Sequence, residues 1–142
     1  MAENYLEEKN FFFESAAYAP DLFSVVSFKG REEISEPYEF EIVLVTSDPE
    51  IDIDKMLDNP ATLYLQPGQE LPVHGILSSF EQLNEVDRWI FYRAVLRPRL
   101  WNLTLYTMSE VYLRLTIPEI VEEVLQRCGL SSNDFEIKQT RD

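Results

Sequence analysis

The sequence predicts a mainly β (α+β) fold, a barrel or roll of about seven strands with one packed amphipathic helix near residues 117–128. Apolar and polar residues alternate over several short segments, as they do in half-buried strands. Gly, Pro, Asn and Asp separate these segments. Only the segment after Thr116 combines helical periodicity with capping residues. The 142 residues, 45% of them hydrophobic, are enough for one domain with its own core, so residues 1–142 are predicted as a single domain.

Seven segments have the pattern of strands. They are Phe11–Glu14, Phe23–Lys29, Tyr38–Val45, Ala61–Gln66, Val73–Leu83, Arg88–Arg97 and Phe135–Lys138. In the third, the even positions are all apolar, so one face of the strand is predicted to belong to the core. The odd positions change from glutamate to valine, so the other face is predicted to become more buried toward the end of the strand. In the sixth, positions 90, 92, 94 and 96 share one apolar face. Because Pro98 has no N–H to give to a ladder, the strand must end, bulge or lie at a sheet edge there.

Turns and glycines connect these strands. Asp52–Leu57 is predicted to be one short helical turn, which Asn59-Pro60 ends. The pair Pro67-Gly68 is a turn signal, and residues 84–87 are predicted to join two long strands as a hairpin. Gly75 lies inside a strand, where a bulge or a close backbone approach is the usual reason for glycine.

One helix is predicted after Thr116. The Thr116 side chain can cap free N–H groups while Glu119 reaches back, and Pro118 lies where a missing N–H costs little. Apolar residues continue from position 120 to Cys128 in one stripe, and Gly129 is placed to end the helix in the left-handed conformation.

The charge balance argues against two classes of partner. Twelve basic and 26 acidic residues leave a net charge of −14, which disfavours nucleic acid and anionic membranes because both require basic surface. An acidic surface keeps a protein soluble or complements a basic partner. The first ten residues are polar rather than signal-like, and no apolar run approaches the ~20 residues of a membrane span. We therefore expect synthesis in the cytoplasm, without stable membrane insertion.

Residues for catalysis or for metal binding are sparse. His74 is the only histidine, and neither a G-x-S-x-G elbow nor a glycine-rich phosphate loop occurs, so no catalytic residue, cofactor or metal site is predicted. Cys128 continues the apolar stripe of the helix and is expected to be a buried, inert thiol. Carboxylates alternate along residues 48–54, but Ile53 and Asn59 stand where a calcium loop requires glycine and glutamate.

Aromatic residues and arginines remain as candidates for binding. The aromatic set could line a groove for carbohydrate or peptide, although core and interface packing is the usual role of aromatics on alternating strands. Its members are Phe11, Phe12, Phe13, Trp89, Phe91, Tyr92 and Trp101. Arg93, Arg97 and Arg99 stand close together in an acidic chain, where arginines often pair with carboxylates of the same fold or of a neighbouring subunit.

Five phrases of the chain resemble the N-terminal region of one family, in that family's order. They are residues 34–42 (ISEPYEFEI), 57–63 (LDNPATL), 74–76 (HGI), 92–104 (YRAVLRPRLWNLT) and 116–125 (TIPEIVEEVL). The family is the valine-glycine repeat protein G (VgrG) family, the spike of the bacterial type VI secretion system, whose N-terminal region is similar to the tail-hub protein of contractile-tailed phages. The chain departs from the family pattern at Glu110–Leu113, where an arginine followed by Ile-Phe-Gln is usual.

The resemblance implies a structural component of a contractile injection apparatus. Family members form trimers whose hub docks on a tube of haemolysin-coregulated protein (Hcp) rings and on baseplate components. They assemble in the cytoplasm and are then ejected, without a signal peptide. The resemblance further implies that the chain is an N-terminal fragment of a longer protein. Within it, Arg97, Arg99 and Trp101 are the expected interface residues, and a stand-alone carbohydrate- or peptide-binding module is the alternative function.

Overall fold

The computed structural model describes residues 11–65 and 71–140, which belong to two compact units divided between Pro98 and Arg99. Among these described residues, the first unit contains a sheet and a short helix. The second contains a 3₁₀ helix and an α-helix. The single domain that the sequence predicts over residues 1–142 therefore stays a prediction. The predicted turn at Pro67-Gly68 and the polar N-terminal segment lie outside the described residues.

In the part of the chain that the structure describes, six antiparallel strands form one sheet in the order β1-β4-β5-β6-β3-β2. The strands are β1 (Phe12–Ser15), β2 (Ser24–Glu33), β3 (Glu36–Thr46), β4 (Pro60–Tyr64), β5 (Pro72–Val86) and β6 (Trp89–Arg97). Six of the seven predicted strands are therefore confirmed. The seventh, at Phe135–Lys138, was wrong, because that short segment has no strand partner among the described residues and stays irregular.

The sheet curls until its two edge strands approach each other. Phe11, just before β1, packs edge-on against Phe28 of β2 with ring centroids 4.8 Å apart. Phe13 of β1 lies 6.0 Å from Phe23, which immediately precedes β2. Aromatic rings thus fill the gap between the edges, as the predicted barrel or roll requires.

The core lies on the concave face of this sheet. The even positions of β3 and β6 predicted to face inward are buried, apart from partly buried Tyr38; Ile42, Leu44, Ala94 and Leu96 have no exposed surface. The odd positions of β3 change from exposed Glu41 to buried Val45, as the sequence predicted. The alternating pattern therefore determined which faces of these strands are buried.

Two features shape the long strand β5. Gly75 is a close backbone approach, as expected, since a β-carbon there would lie 2.1 Å from the carbonyl oxygen of Arg97. Ser78 interrupts the register with β6, and its hydroxyl donates to the Val95 carbonyl at 3.3 Å. The predicted hairpin is shorter than expected: pairing continues to Val86 opposite Trp89, and the turn consists of Asp87, with φ of 57°, and Arg88.

The short helix α1 (Ile53–Leu57) confirms the predicted helical turn. The Asp52 carboxylate caps it by accepting a hydrogen bond from the Lys55 N–H at 3.1 Å. On its inner side Met56 is fully buried and joins the core of the sheet. The loop between β3 and β4 therefore closes one part of the core.

In the second unit, the 3₁₀ helix (Arg99–Leu105) follows Pro98 directly, so β6 ends where the sequence predicted. Helix α2 (Ile117–Arg127) begins with the predicted capping box: the Glu119 carboxylate accepts from both the backbone N–H and the hydroxyl of Thr116, each at 2.7 Å. Gly129 ends it with φ of 86°. Cys128 is buried, as expected.

Within the described residues, no helix is long and apolar enough to cross a membrane.

Candidate assembly surface

The outer face of β6 carries two arginines that pair with acids of the same sheet. Arg93 lies 2.8 Å from the Glu81 carboxylate on β5. Arg97, whose side chain is 29% exposed, forms an ion pair with Glu39 on β3. Both arginines therefore lie between strands that the register already holds together, and part of their charge is neutralised inside the fold.

Arg99 forms an ion pair within the second unit. Its guanidinium lies 3.0 Å from the Asp134 carboxylate, in the turn that follows α2. The same carboxylate accepts hydrogen bonds from the N–H and the hydroxyl of Ser131, at 2.7 and 2.8 Å. These two bonds, with a smaller contribution from Arg99, hold the pKa of Asp134 below its ordinary value. Arg99 thus connects the 3₁₀ helix to this turn.

Trp101 lies in the 3₁₀ helix and is half-buried. Its carbonyl accepts a hydrogen bond from the Thr104 hydroxyl at 2.7 Å, which holds the helix turn. The three expected interface residues are thus placed differently: Arg97 ends a strand of the first unit, whereas Arg99 and Trp101 begin the second. Their role at an interface stays a prediction.

A shallow groove in the second unit separates the 3₁₀ helix, the following segment and α2. It has a volume of about 290 Å³ and is lined by Leu103, Tyr106, Met108, Glu110, Tyr112, Val124 and Cys128. At its edge Arg127 pairs with Glu110 and, at 2.5 Å, with Glu123. The hydrogen bond with Glu110 raises the pKa of Arg127. The pKa of Tyr112 is also raised, mainly by burial and to a smaller extent by the negative charge of Glu110. The lining of the groove is therefore mixed, with apolar side chains beside the carboxylate of Glu110, which is paired with Arg127.

The strands β2 and β3 extend beyond the rest of the sheet as a two-stranded arm, residues 31–39. Their pairing continues from Arg31 opposite Glu39 to Glu33 opposite Glu36, whereas the ladder between β3 and β6 begins only at Phe40. At the tip, Ile34 is 98% exposed and Ser35 has φ of 68°. The sequence pattern does not indicate this arm, because the turn at Ile34 and Ser35 lacks the Gly or Asn that marks most two-residue hairpins.

Residues considered for catalysis or metal binding have local structural contacts. His74 is exposed on β5, and its Nδ1 lies 2.9 Å from the Thr62 hydroxyl. In the acidic segment, Asp48 accepts from the Glu50 N–H at 2.8 Å, and Asp52 caps α1. Across residues 11–65 and 71–140, no group of three or more His, Cys, Asp or Glu side chains is arranged to hold a metal ion.

The aromatic residues considered for a ligand groove separate between the core and the surface. Phe13 and Tyr92 are buried, and Tyr92 stacks on Phe80 with ring centroids 5.0 Å apart. Phe11 packs against β2, while Phe12 is 44% exposed on the edge strand. Three of the seven, Phe11, Phe13 and Tyr92, thus contribute to packing, which is the role that the sequence pattern favoured for the set.

Comparison with known proteins places the chain in one group. Residues 31–142 match the family model of the phage tail baseplate hub (GPD). Among curated proteins, the type VI secretion system spike protein VgrG5 of Pseudomonas aeruginosa is 39% identical over 113 residues, which cover 80% of this chain and 14% of VgrG5. VgrG1a of the same organism is 31% identical over 124 residues, covering 86% of this chain and 19% of VgrG1a. The chain thus spans less than a fifth of the length of these relatives.

A solved structure shows the same fold. The E. coli c3393 protein, a component of the type VI secretion system with structural similarity to the T4 bacteriophage tail proteins gp27 and gp5, superimposes with a TM-score of 0.74 at 24% sequence identity. The alignment covers 85% of this chain and 33% of that one. The family match, extending over more than half of the chain, and the shared fold lead to one conclusion: the chain belongs to the phage tail baseplate hub family.

Proposed function

We propose that this chain is a structural segment of the hub of a type VI secretion spike, which assembles as a homotrimer and docks on the secretion tube. The observation that carries the proposal is the hub-family match over residues 31–142, together with 39% identity to a type VI spike protein. The curled sheet supports it, because a rigid hub requires a core that stays folded under mechanical load.

The proposed role is mechanical rather than catalytic. The tube formed by Hcp and the baseplate are the proposed partners, and we propose that the segment assembles in the cytoplasm before ejection with the spike. Its acidic composition, with a net charge of −14, suits contact with basic protein partners better than contact with nucleic acid.

A secretion assay tests this function. In a bacterium whose own spike gene has been deleted, a spike whose N-terminal segment is replaced by this chain is expected to restore the appearance of Hcp in the culture medium. The matched control carries Leu96→Asp, which places a charge in the fully buried core and abolishes folding of the segment. Stable expression of the unmodified hybrid without any Hcp export would contradict the proposed function.

Arg97, Arg99 and Trp101 are proposed as contacts to neighbouring hub subunits. Arg93 supplies a matched control for Arg97, since both lie on β6 and both pair with a glutamate of the same sheet. We expect Arg97→Ala to lower the trimeric fraction of the whole spike several-fold and Arg93→Ala to leave it unchanged. Each partly exposed ion pair contributes at most about 1 kcal/mol to folding, so both variants stay folded. Equal effects on trimer formation, measured by light scattering, would contradict an interface role for Arg97.

A further inference from the structure

We propose that residues 106–112 form a strap that opens and closes over one face of helix α2, and that Arg127 is the latch that holds the strap closed. The strap thereby controls access to the groove of the second unit. This inference rests on contacts within that unit and goes beyond the proposed function, on which it does not depend.

The strap forms one wall of the groove. Every second residue of the strap lines it, namely Tyr106, Met108, Glu110 and Tyr112. The facing wall includes Val124 and Cys128, which are four residues apart and therefore lie on one side of the helix. Although Cys128 lines the groove, its exposed fraction is only 5%. The closed strap thus keeps the thiol away from solvent.

The backbone contributes little to the position of the strap. At its start, the Tyr106 N–H donates to the Leu103 carbonyl at 3.3 Å. Within the described chain, no further backbone hydrogen bond involves residues 107–112, and these residues belong to no helix or strand. Met108 is 49% exposed and Val111 is 81% exposed. A segment with few buried apolar contacts and an unpaired backbone opens locally at low cost in free energy.

A side chain of the helix makes the polar connection to the strap. The Arg127 guanidinium forms an ion pair with the Glu110 carboxylate, and the Tyr112 hydroxyl donates to the same carboxylate at 3.4 Å. Arg127 also pairs with Glu123 at 2.5 Å, one turn earlier on the helix. Among the described residues, no other hydrogen bond or ion pair joins the strap to α2. The position of the strap therefore depends on the pair between Glu110 and Arg127.

The exposure of this latch makes it reversible. The side chains of Arg127 and Glu110 are 42% and 36% exposed, so water reaches both partners. An exposed ion pair contributes little free energy, and its loss corresponds to a change of about fivefold in a conformational equilibrium. Arg127 thus biases the strap toward the closed state without locking it.

The reactivity of Cys128 measures how often the strap opens, because this residue is the only cysteine of the chain and is buried when the strap is closed. The chain is mixed with an excess of the neutral reagent 4,4′-dithiodipyridine, and the release of thiopyridone is followed by absorbance. When closing is fast relative to the reaction, the rate follows the open population. We expect Glu110→Gln to raise this rate about fivefold.

Glu123→Gln is the matched control. Glu123 pairs with the same arginine and is 37% exposed, but it belongs to the helix rather than to the strap. We expect this variant to react within about twofold of the native rate, since the loss of one pair within a helix has a small effect. If Arg127 only stabilised the helix, Glu123→Gln would expose Cys128 at least as much as Glu110→Gln. Such a result would overturn the latch.

A double substitution supplies the second readout. We expect Arg127→Gln to raise the rate as Glu110→Gln does, and the two together to give no further increase, because both remove the same contact. Helix circular dichroism of each variant shows whether the second unit stays folded. Retained helix together with the faster rates supports the strap. A native rate in Glu110→Gln, independent effects that multiply, or faster rates accompanied by loss of helix would overturn the proposal.

Discussion

Single residues in this chain are constrained by backbone geometry as much as by their chemistry. Gly75 has no space for a β-carbon, because the Arg97 carbonyl oxygen would lie 2.1 Å away and belongs to the backbone of the neighbouring strand. Asp134 holds its charge through two hydrogen bonds from Ser131 and one ion pair with Arg99. A single substitution tests the role of each of these two residues.

Gly75→Ala is expected to destabilise the first unit by about 1–3 kcal/mol, since β5 and β6 must move apart to admit the methyl group. Urea unfolding followed by circular dichroism measures the loss. Ser79→Ala, at an exposed position of the same strand, is the control and should change stability by less than about 0.5 kcal/mol. Equal stability of the two variants would show that the strands do not approach closely at Gly75.

The pKa of Asp134 is expected to rise toward its ordinary value in Arg99→Gln, and to rise less in Arg99→Lys, which keeps the positive charge. Because the folded-state pKa is lowered, the ionised carboxylate stabilises the protein at pH values above the ordinary carboxyl pKa of about 3.9. That stabilisation is lost as the pH falls through the lowered pKa. Carbon-detected NMR titration measures the pKa of Asp134 in the native protein and in both variants. A native pKa at or above the ordinary value would contradict the lowering that we attribute to Ser131 and Arg99.

Among the secondary-structure elements, α2 begins at a local capping signal, whereas β6 depends on contacts with strands that are distant in the sequence. Helix α2 has its own start signal in Thr116 and Glu119, whose hydrogen bonds lower the pKa of Glu119. The strand β6 instead depends on neighbours on both sides, because its inner face is buried by the curl of the sheet and its outer arginines pair with β3 and β5.

Thr116→Ala is expected to cost the second unit about 0.5–2 kcal/mol, because the helix loses its capping hydroxyl. Thr116→Ser keeps the hydroxyl and should retain most of the stability. The loss should diminish at low pH, since protonation of Glu119 breaks the other half of the box even in the native chain. Thermal unfolding monitored by helix circular dichroism at two pH values checks both statements, and identical midpoints for Thr116→Ala and Thr116→Ser would contradict them.

At the scale of the whole molecule, the principal core belongs to one unit. Among residues 11–65 and 71–140, the fourteen residues of the buried core cluster all lie between Phe13 and Leu96, within the first unit. The second unit exposes much of its aliphatic surface, including Val111 and Ile117. The two units therefore differ in how much of their stability comes from their own burial.

Residues 1–98 alone are expected to fold into the six-stranded sheet, with cooperative urea unfolding and a β-type circular dichroism spectrum. Residues 99–142 alone are expected to unfold without a sharp transition, since much of their aliphatic surface is exposed and a helix of eleven residues is marginal by itself. Leu44→Ala in the shorter sheet protein should cost about 2–5 kcal/mol, as it does for a fully buried leucine. A sheet fragment that unfolds without a cooperative transition would show that its core depends on the second unit.

Local sequence patterns were enough to predict several elements of the fold. Alternation identified the inner faces of β3 and β6, Pro98 marked the end of β6, and Thr116 with Glu119 marked the start of α2, because each of these signals acts within a few residues. The phrases shared with the VgrG family identified the family before any fold was available. The short segment at Phe135–Lys138 had the right pattern, but a strand forms only where another strand supplies its hydrogen bonds.

The folded chain, rather than any local pattern, shows which distant residues meet. It paired Arg97 with Glu39 and Arg99 with Asp134, and it brought the edge strands together through Phe11 and Phe28. It also shows the arm that exposes Ile34. The arm exists because β2 and β3 extend past the end of β6, and that extension depends on the register of the whole sheet. The period of the sequence pattern indicates on which face of a strand a residue lies. The residue that it contacts on the next strand depends on the register between strands that are far apart in the chain.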